Sequence, residues 1–479
     1  MESLKKNIVY QTLYQVLNLL IPFITTPYIT RVLGAEGVGI YSYTYSIVSY
    51  FVLFAKLGIH MYGSRLIATV REDEEEVNKV FWDLFFIHVI ISVLALGFYI
   101  IYIIILPHQY KSIIAIQVLY IFAEMIDIYW FFLGIEKFKI IVTRNIGVKI
   151  VMLIAVFIFV KTRLDVWKYC AIMASSIVLG EIISWLFLPD YIKLVKPDYK
   201  RAKEHIVPMF LFFIPSFAIS IYKVMDKIML GVFANTIQVG YYESSEKIIN
   251  IILSFITAFG TVMQPRMVNL VANNKKEDYQ NIINISMKII MIITIALTFG
   301  ICGIAPIFTP VFLGEEFESC KMLVVGLALT MPFIAFANVV RTQFLIPMHK
   351  DKVFQGSIIC GACVNVVVNL VLIRKYGALG AVVGTVLAES IVCIIQAIAT
   401  NEELPIFSYI KQTLPYTIYG VFMCLIVRCI GFKLGKNILT IVVQILVGGI
   451  FYILCSSIYM YKQKDNLWLA LININRKRS

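Results

Sequence analysis

Lys223, Asp226 and Lys227 stand at i, i+3 and i+4 in a stretch that is otherwise apolar, a spacing that puts all three on one face of a helix. Asp226 can neutralise one lysine, so one positive charge is left over. Two uses remain open: the surplus cation could hold an anionic group such as a phosphate, or the trio is a self-compensating cluster whose lysines snorkel to water. Lys149 has no acidic residue within one turn in its own apolar stretch, so it must find a partner or water among neighbouring elements. That makes it the strongest single candidate for lining a polar cavity. Arg31, Lys56, Arg266 and Arg341 lie nearer the ends of apolar stretches, where long basic side chains reach water cheaply. If a diphosphate is bound, Arg31 and Arg341 are the better chelators, because a guanidinium can make two hydrogen bonds at once. Glu124 and Asp127, at i and i+3, join Glu181 and Glu389 as carboxylates in apolar surroundings. They could carry a proton or Na+, or they pair structurally with Lys149 and the other cations.

The elements that must position these residues are set by composition. The chain has 479 residues, 60% hydrophobic and 15% charged, with a mean hydropathy of +0.85; a soluble domain carries roughly 25% charged residues. Apolar runs of about 20 residues, enough to cross hydrocarbon, follow one another and leave no stretch for a folded soluble domain. Charged residues and Gly, Pro or Asn mark the breaks. Helices are expected at 9–32, 38–58, 80–106, 112–134, 143–160, 166–188, 207–233, 243–270, 284–313, 321–346, 355–373, 378–400, 412–431 and 437–460. The fold class is therefore an all-α polytopic membrane protein with about fourteen transmembrane helices. The first run is longer than a signal-peptide core and lacks a cleavage pattern, so it reads as a retained helix. Pro22 and Pro27 in it, with Pro208 and Pro215 in the seventh, mark bendable, cavity-lining helices.

The net charge of +13 would suggest nucleic acid in a soluble protein, but the basic residues sit in short loops. Their bias to the N-terminal side places both ends in the cytoplasm. The heaviest basic loop, Lys193, Lys196, Lys200, Arg201 and Lys203, faces anionic inner-leaflet lipid and acts as a topology anchor. The Cys360-x-x-Cys363 pair lies on an expected spanning helix with no second ligand pair, so no metal site is read there.

The chain also repeats itself. Arg31-Val32-Leu33-Gly34 followed by Gly39-Ile40-Tyr41 resembles Ile228-Met229-Leu230-Gly231 followed by Gly240-Tyr241-Tyr242. Leu133 with Lys137 and Lys139 matches Leu345 with Lys350 and Lys352, and Gly180-Glu181 matches Ala388-Glu389. The echoes keep their order, which argues for two parallel six-helix repeats: an N-lobe at 1–190, a basic cytoplasmic linker at 191–205, a C-lobe at 206–401, and a last helix pair with a basic tail at 402–479. Parallel repeats of this kind enclose a transport path between them.

Three segments carry a family resemblance: Thr26-Pro27-Tyr28-Ile29-Thr30-Arg31-Val32-Leu33-Gly34-Ala35-Glu36-Gly37-Val38-Gly39-Ile40-Tyr41, Trp130-Phe131-Phe132-Leu133-Gly134-Ile135-Glu136-Lys137-Phe138, and Asp226-Lys227-Ile228-Met229-Leu230-Gly231. The chain resembles the polysaccharide repeat-unit flippases of the multidrug/oligosaccharidyl-lipid/polysaccharide exporter superfamily. That resemblance implies a multi-pass protein of the bacterial inner membrane that moves an undecaprenyl-diphosphate-linked oligosaccharide from the cytoplasmic to the periplasmic leaflet by alternating access, for capsule, O-antigen or a related glycan. It implies a lipid-linked oligosaccharide and the bilayer as partners, with other membrane proteins of polysaccharide assembly as further candidates and no nucleic acid. No cofactor is expected; H+ or Na+ is the candidate coupling ion. A membrane polymerase or acyltransferase fits poorly, because His60, His88, His108, His205 and His349 are scattered and the outer loops are short. A drug or cation exporter of the same superfamily would need a tight acidic cation site in the first half with few cavity cations.

Overall fold

A chain this apolar has lipid as its solvent, and in lipid every backbone N–H and C=O must be satisfied internally, which leaves the helix as the economical solution. The computed structural model describes residues 2–105 and 109–463, with side chains from Leu20 onward except at 215, 218 and 222. His108, the Pro215 side chain and the basic tail beyond 463 fall outside these. The described residues form helices joined by turns and short loops, with no strand. In order they form α1 (Glu2–Lys56), α2 (Ile59–Val70), α3 (Glu74–Ile105), α4 (Lys111–Ile116), α5 (Val118–Met125), α6 (Tyr129–Gly134), α7 (Phe138–Phe159), α8 (Val166–Phe187), α9 (Tyr199–Glu204) and α10 (Ile206–Phe233). Then come α11 (Thr236–Ala272), α12 (Lys276–Leu313), α13 (Cys320–Ala328), α14 (Met331–Val340), α15 (Asp351–Tyr376), α16 (Ala378–Thr400), α17 (Ile406–Leu434) and α18 (Ile438–Lys462).

Among the described residues, 12 helical segments are long and apolar enough to cross a membrane. One of them, Leu20–Val70, breaks at Gly34, whose φ of 70° and ψ of 179° lie outside helical space. The expected first and second helices are thus the two limbs of α1. The second limb does not stop near residue 58 as expected. It kinks at Leu57 and Gly58, both at positive φ, and continues as α2 to Val70. Gly58 is required there, because a Cβ would stand 2.3 Å from the Met209 carbonyl.

Burial runs opposite to that of a water-soluble protein. Phe98, Ile104, Leu186 and Ile398 are exposed, whereas Thr44, Gln117, Asn369, Gln396 and Gln444 are buried. Apolar exteriors meet lipid, and buried amides bridge helices that hydrocarbon alone would not hold together.

The chain divides into two compact units, Met1–Gly240 and Tyr241–Ser479. In the first, Ile59, Ile67, Phe81, Trp130, Phe131 and Phe132 make an aromatic core between α2, α3 and α6. Helix α10, expected to open the second lobe, packs on α1 and α2 within this unit. Gly39 and Gly240, equivalent positions of the sequence repeat, lie against each other, and a Cβ on Gly39 would stand 1.7 Å from the Thr236 carbonyl. In the second unit α12, α17 and α18 share a core of Ile295, Tyr416, Met423, Val427 and Tyr452.

The repeat reaches the backbone. Glu136 takes φ 59° after α6 and His349 takes φ 56° after the five residues that extend α14. Glu136 N–H donates to Leu133 O and Lys137 N–H to Phe132 O; in the second unit His349 N–H donates to Ile346 O and Lys350 N–H to Leu345 O. The same left-handed turn closes both segments at one common offset.

Candidate functional site

The site forms where a spanning segment is broken. Between α5 and α6 the residues Ile126, Asp127 and Ile128 leave the helix, which orphans carbonyl groups in a place without water. Side chains replace the missing helical donors. His88 Nε2 lies 2.6 Å from the Glu124 carbonyl oxygen, Trp185 Nε1 donates to Ile126 O at 2.7 Å, and Trp130 Nε1 donates to Asp127 O at 3.2 Å. Asp127 stabilises the restart of the helix by accepting from the Tyr129 amide at 2.6 Å. Glu124 and Asp127 are thereby fixed at the broken end, pointing at α1 and α2.

Those helices bring the opposite charges. Lys56 Nζ is 3.2 Å from Glu124 Oε2, and His60 Nε2 is 2.5 Å from Asp127 Oδ2 and 3.6 Å from Glu124 Oε1. Lys56 and His60 stand four residues apart on either side of the kink at Gly58 and reach the same pair of carboxylates. A third pair closes the cluster: Arg144 on α7 donates to Glu181 Oε2 at 3.0 Å and to Ser184 Oγ at 2.5 Å on α8. All six charged or titratable groups line one cavity of about 310 Å³, together with Tyr45, Tyr120 and Tyr129. One imidazole and two carboxylates converge, with ligand atoms within 4.8 Å of one another. Glu124 Oε1 is buried and accepts no hydrogen bond among the described residues. Such a donor set can take up a proton on the imidazole or a small hard cation on the oxygens.

The structure therefore brings together four of the residues singled out from sequence: Lys56, Glu124, Asp127 and Glu181. It adds His60 and Arg144, which sequence reasoning passed over. Their signal was present but weak, since a basic group inside an expected span and a histidine just past a helix end look like interface residues until the break in α5–α6 is known. Lys149 is half-buried on α7 and is not among the residues lining the cavity. Five residues along a helix turn the side chain by about 140°, so Arg144 and Lys149 serve different faces.

The remaining candidates are dispersed. Arg31, Lys223 and Arg266 are exposed, Asp226 is buried, and Lys227 and Glu389 are half-buried. Arg341, half-buried in the second unit, sits in a five-residue π-helical turn, and its guanidinium carbon lies 5.4 Å from the centre of the Phe354 ring. Its Nε makes no hydrogen bond among the described residues. Cys360 and Cys363 are exposed and free on α15.

The family described as polysaccharide biosynthesis protein matches residues 4–271. The chain belongs to this family. Curated relatives include a candidate O-antigen transporter of Escherichia coli (strain K12), 23% identical over 397 residues that cover 81% of this chain and 95% of that protein. A glycan biosynthesis flippase candidate of Haloferax volcanii is 22% identical over 299 residues, 62% of this chain and 61% of its own length. Among solved structures, the lipid II flippase MurJ in an inward closed conformation superposes with a TM-score of 0.75 at 14% identity, covering 95% of this chain and 99% of that one. An inward-facing multidrug-resistance MATE family transporter of the MOP superfamily gives 0.58 at 15% identity, with 85% and 99% covered. At these identities the structural likeness establishes the fold alone, that of a polytopic helical membrane protein.

Proposed function

We propose that the protein is a membrane transporter, not an enzyme, that moves an undecaprenyl-diphosphate-linked oligosaccharide from the cytoplasmic to the periplasmic leaflet of a bacterial inner membrane by alternating access. The family match, joined to a relative named for O-antigen transport over nearly its whole length, carries this reading. The buried charged cluster supplies the coupling site. Its two permanent cations, Lys56 and Arg144, stand against three carboxylates, Glu124, Asp127 and Glu181, so with neutral His60 one more positive charge brings the group to balance. A proton on His60 or one Na+ at Glu124 and Asp127 does this. Lys56 and Arg144 are engaged within the cluster, which leaves Arg341 as the better-placed guanidinium for a diphosphate.

The test is deletion of the gene followed by analysis of lipid-linked intermediates. Complete repeat units that accumulate facing the cytoplasm are expected; incomplete sugars would indicate an enzyme of assembly instead. A second reading, a cation-coupled drug exporter, is favoured by the acidic convergence of His60, Glu124 and Asp127. It predicts a drug-sensitive deletion strain with normal surface glycan.

A further inference from the structure

A second concavity of about 480 Å³ lies on the outer side of α3, away from the charged cluster. Its floor is Trp82, Phe85, Phe86 and Val89, and its roof is the strap Leu194, Val195, Lys196 and Pro197. The strap has no regular structure from 192 to 198, yet both of its ends are pinned to α3. At one end Lys193 N–H donates to Asn78 Oδ1 at 2.7 Å and Trp82 Nε1 donates to Lys193 O at 2.9 Å. At the other, Asp198 N–H donates to Asp83 Oδ1 at 2.7 Å, and Arg201 bonds both Asp83 and Glu76. The four residues between the pins stand off the helix. Leu194 is 87% exposed, a costly arrangement in water and a cheap one against hydrocarbon.

The strap and the turn that follows it are basic, and Lys196 lines the groove itself. Residues 191–205 carry five cations, Lys193, Lys196, Lys200, Arg201 and Lys203, against Asp198 and Glu204. Arg201 is taken by Asp83 and Glu76, Asp198 caps α9 through the Lys200 amide at 2.9 Å, and Lys203 lies over the Tyr199 ring at 4.2 Å. Lys193, Lys196 and Lys200 are exposed and form no ion pair among the described residues. On the other side the groove continues into hydrocarbon: past Val89 the outer surface of α3 presents Val93, Leu94 and Phe98, each at least half exposed. Trp82 marks the boundary, the depth at which indole rings settle in membranes.

We propose that this groove binds an anionic phospholipid, with one acyl chain under the strap along Phe85, Phe86 and Val89 and the head-group phosphate on Lys193, Lys196 and Lys200. A peptide partner suits it less well, because the apolar floor runs on into a membrane-spanning helix where lipid is the available occupant. A uniform annular lipid does not explain a pinned apolar pocket that Lys196 lines and that two more unpaired lysines, Lys193 and Lys200, flank in sequence. The assignment is independent of what the protein transports.

The test uses the full-length protein in nanodiscs with photoreactive phosphatidylglycerol or photoreactive phosphatidylcholine at equal mole fraction, with labelled peptides read by mass spectrometry. Phosphatidylglycerol is expected to label residues 82–89 and 191–203 about fivefold more than phosphatidylcholine does. The triple variant Lys193→Gln, Lys196→Gln, Lys200→Gln should fall to the phosphatidylcholine level, while the corresponding Arg variant keeps the preference. Val89→Trp, which fills the floor, should move labelling away from the groove with the lysines intact. Equal labelling by the two lipids, labelling unmoved by the Gln variant, or competition by soluble glycerophosphoglycerol as effective as by the lipid would each overturn the proposal. The three lysines are exposed, so their replacement leaves the packed core untouched, and an unchanged melting temperature checks this.

Discussion

Arg144 and Glu181 form a nearly enclosed ion pair, with side chains 7% and 10% exposed. Removing one partner of such a pair strands the other charge, which costs about 3–5 kcal/mol, more than the pair itself contributes. Glu181→Gln is therefore expected to lower the melting temperature and the membrane abundance, and Arg144→Met in addition should restore part of both; a double-mutant cycle on thermal unfolding in detergent measures it. His60 differs, being half-buried and seated at the kink. His60→Ala should leave abundance near normal and reduce glycan export roughly tenfold or more, the range of a coupling free energy, as measured by export per unit of membrane protein. Lys149→Ala should be milder than Arg144→Ala, because the Lys149 side chain leaves α7 on another face than Arg144. Normal Arg144→Ala export at normal abundance would remove the cluster from the mechanism.

At the scale of elements, breaks matter more than regular helix. Gly34 joins the two limbs of α1 at φ 70° and ψ 179°, a region that is essentially glycine's own, so Gly34→Ala should cost about 1–3 kcal/mol through the backbone alone. Gly39→Ala is expected to be worse, because the added methyl meets the Thr236 carbonyl with no flexible side chain to yield. Comparing the two by detergent melting separates strain from collision. Outside the spans, Lys436 ties the loop before α18 to Glu318 at 3.2 Å. The Glu318 carboxyl is held below its ordinary range by its hydrogen bond to Lys321 and then by Lys436. A carboxyl depressed in the folded state contributes above its unfolded pKa and loses that contribution as pH falls through the folded one. Acidification should therefore loosen this tie, and Lys436→Met should abolish the acid-dependent part of proteolysis at residues 434–437.

For the whole molecule, the exterior is hydrocarbon-like and the polar groups are inside, so membrane insertion and folding are separable. The charge bias of the loops predicts that both ends face the cytoplasm; a reporter fused after residue 463 should be active only on that side, and periplasmic activity would overturn that topology. The count of about fourteen crossings is tied to the same experiment, since an odd number would put the ends on opposite sides.

Much of this was legible in the chain itself. Apolar run length selects helices in lipid, so the positions of most elements, the fold class and the repeat could be read from residue order alone, down to the echo of Leu133 and Lys137 in Leu345 and Lys350. The carboxylates of the cluster were visible too, because a charge in an apolar run stands out. Their partners were not. His60 meets Asp127 across 67 residues of sequence, Lys56 reaches Glu124 over a similar span, and Arg144 meets Glu181 only because α7 and α8 pack side by side. Linear periodicity states which residues share a face of one helix, but which faces meet is set by kinks at Gly58 and at Ile126–Ile128. Those depend on carbonyls being satisfied by His88, Trp130 and Trp185 from elsewhere in the fold, and no single segment contains that information.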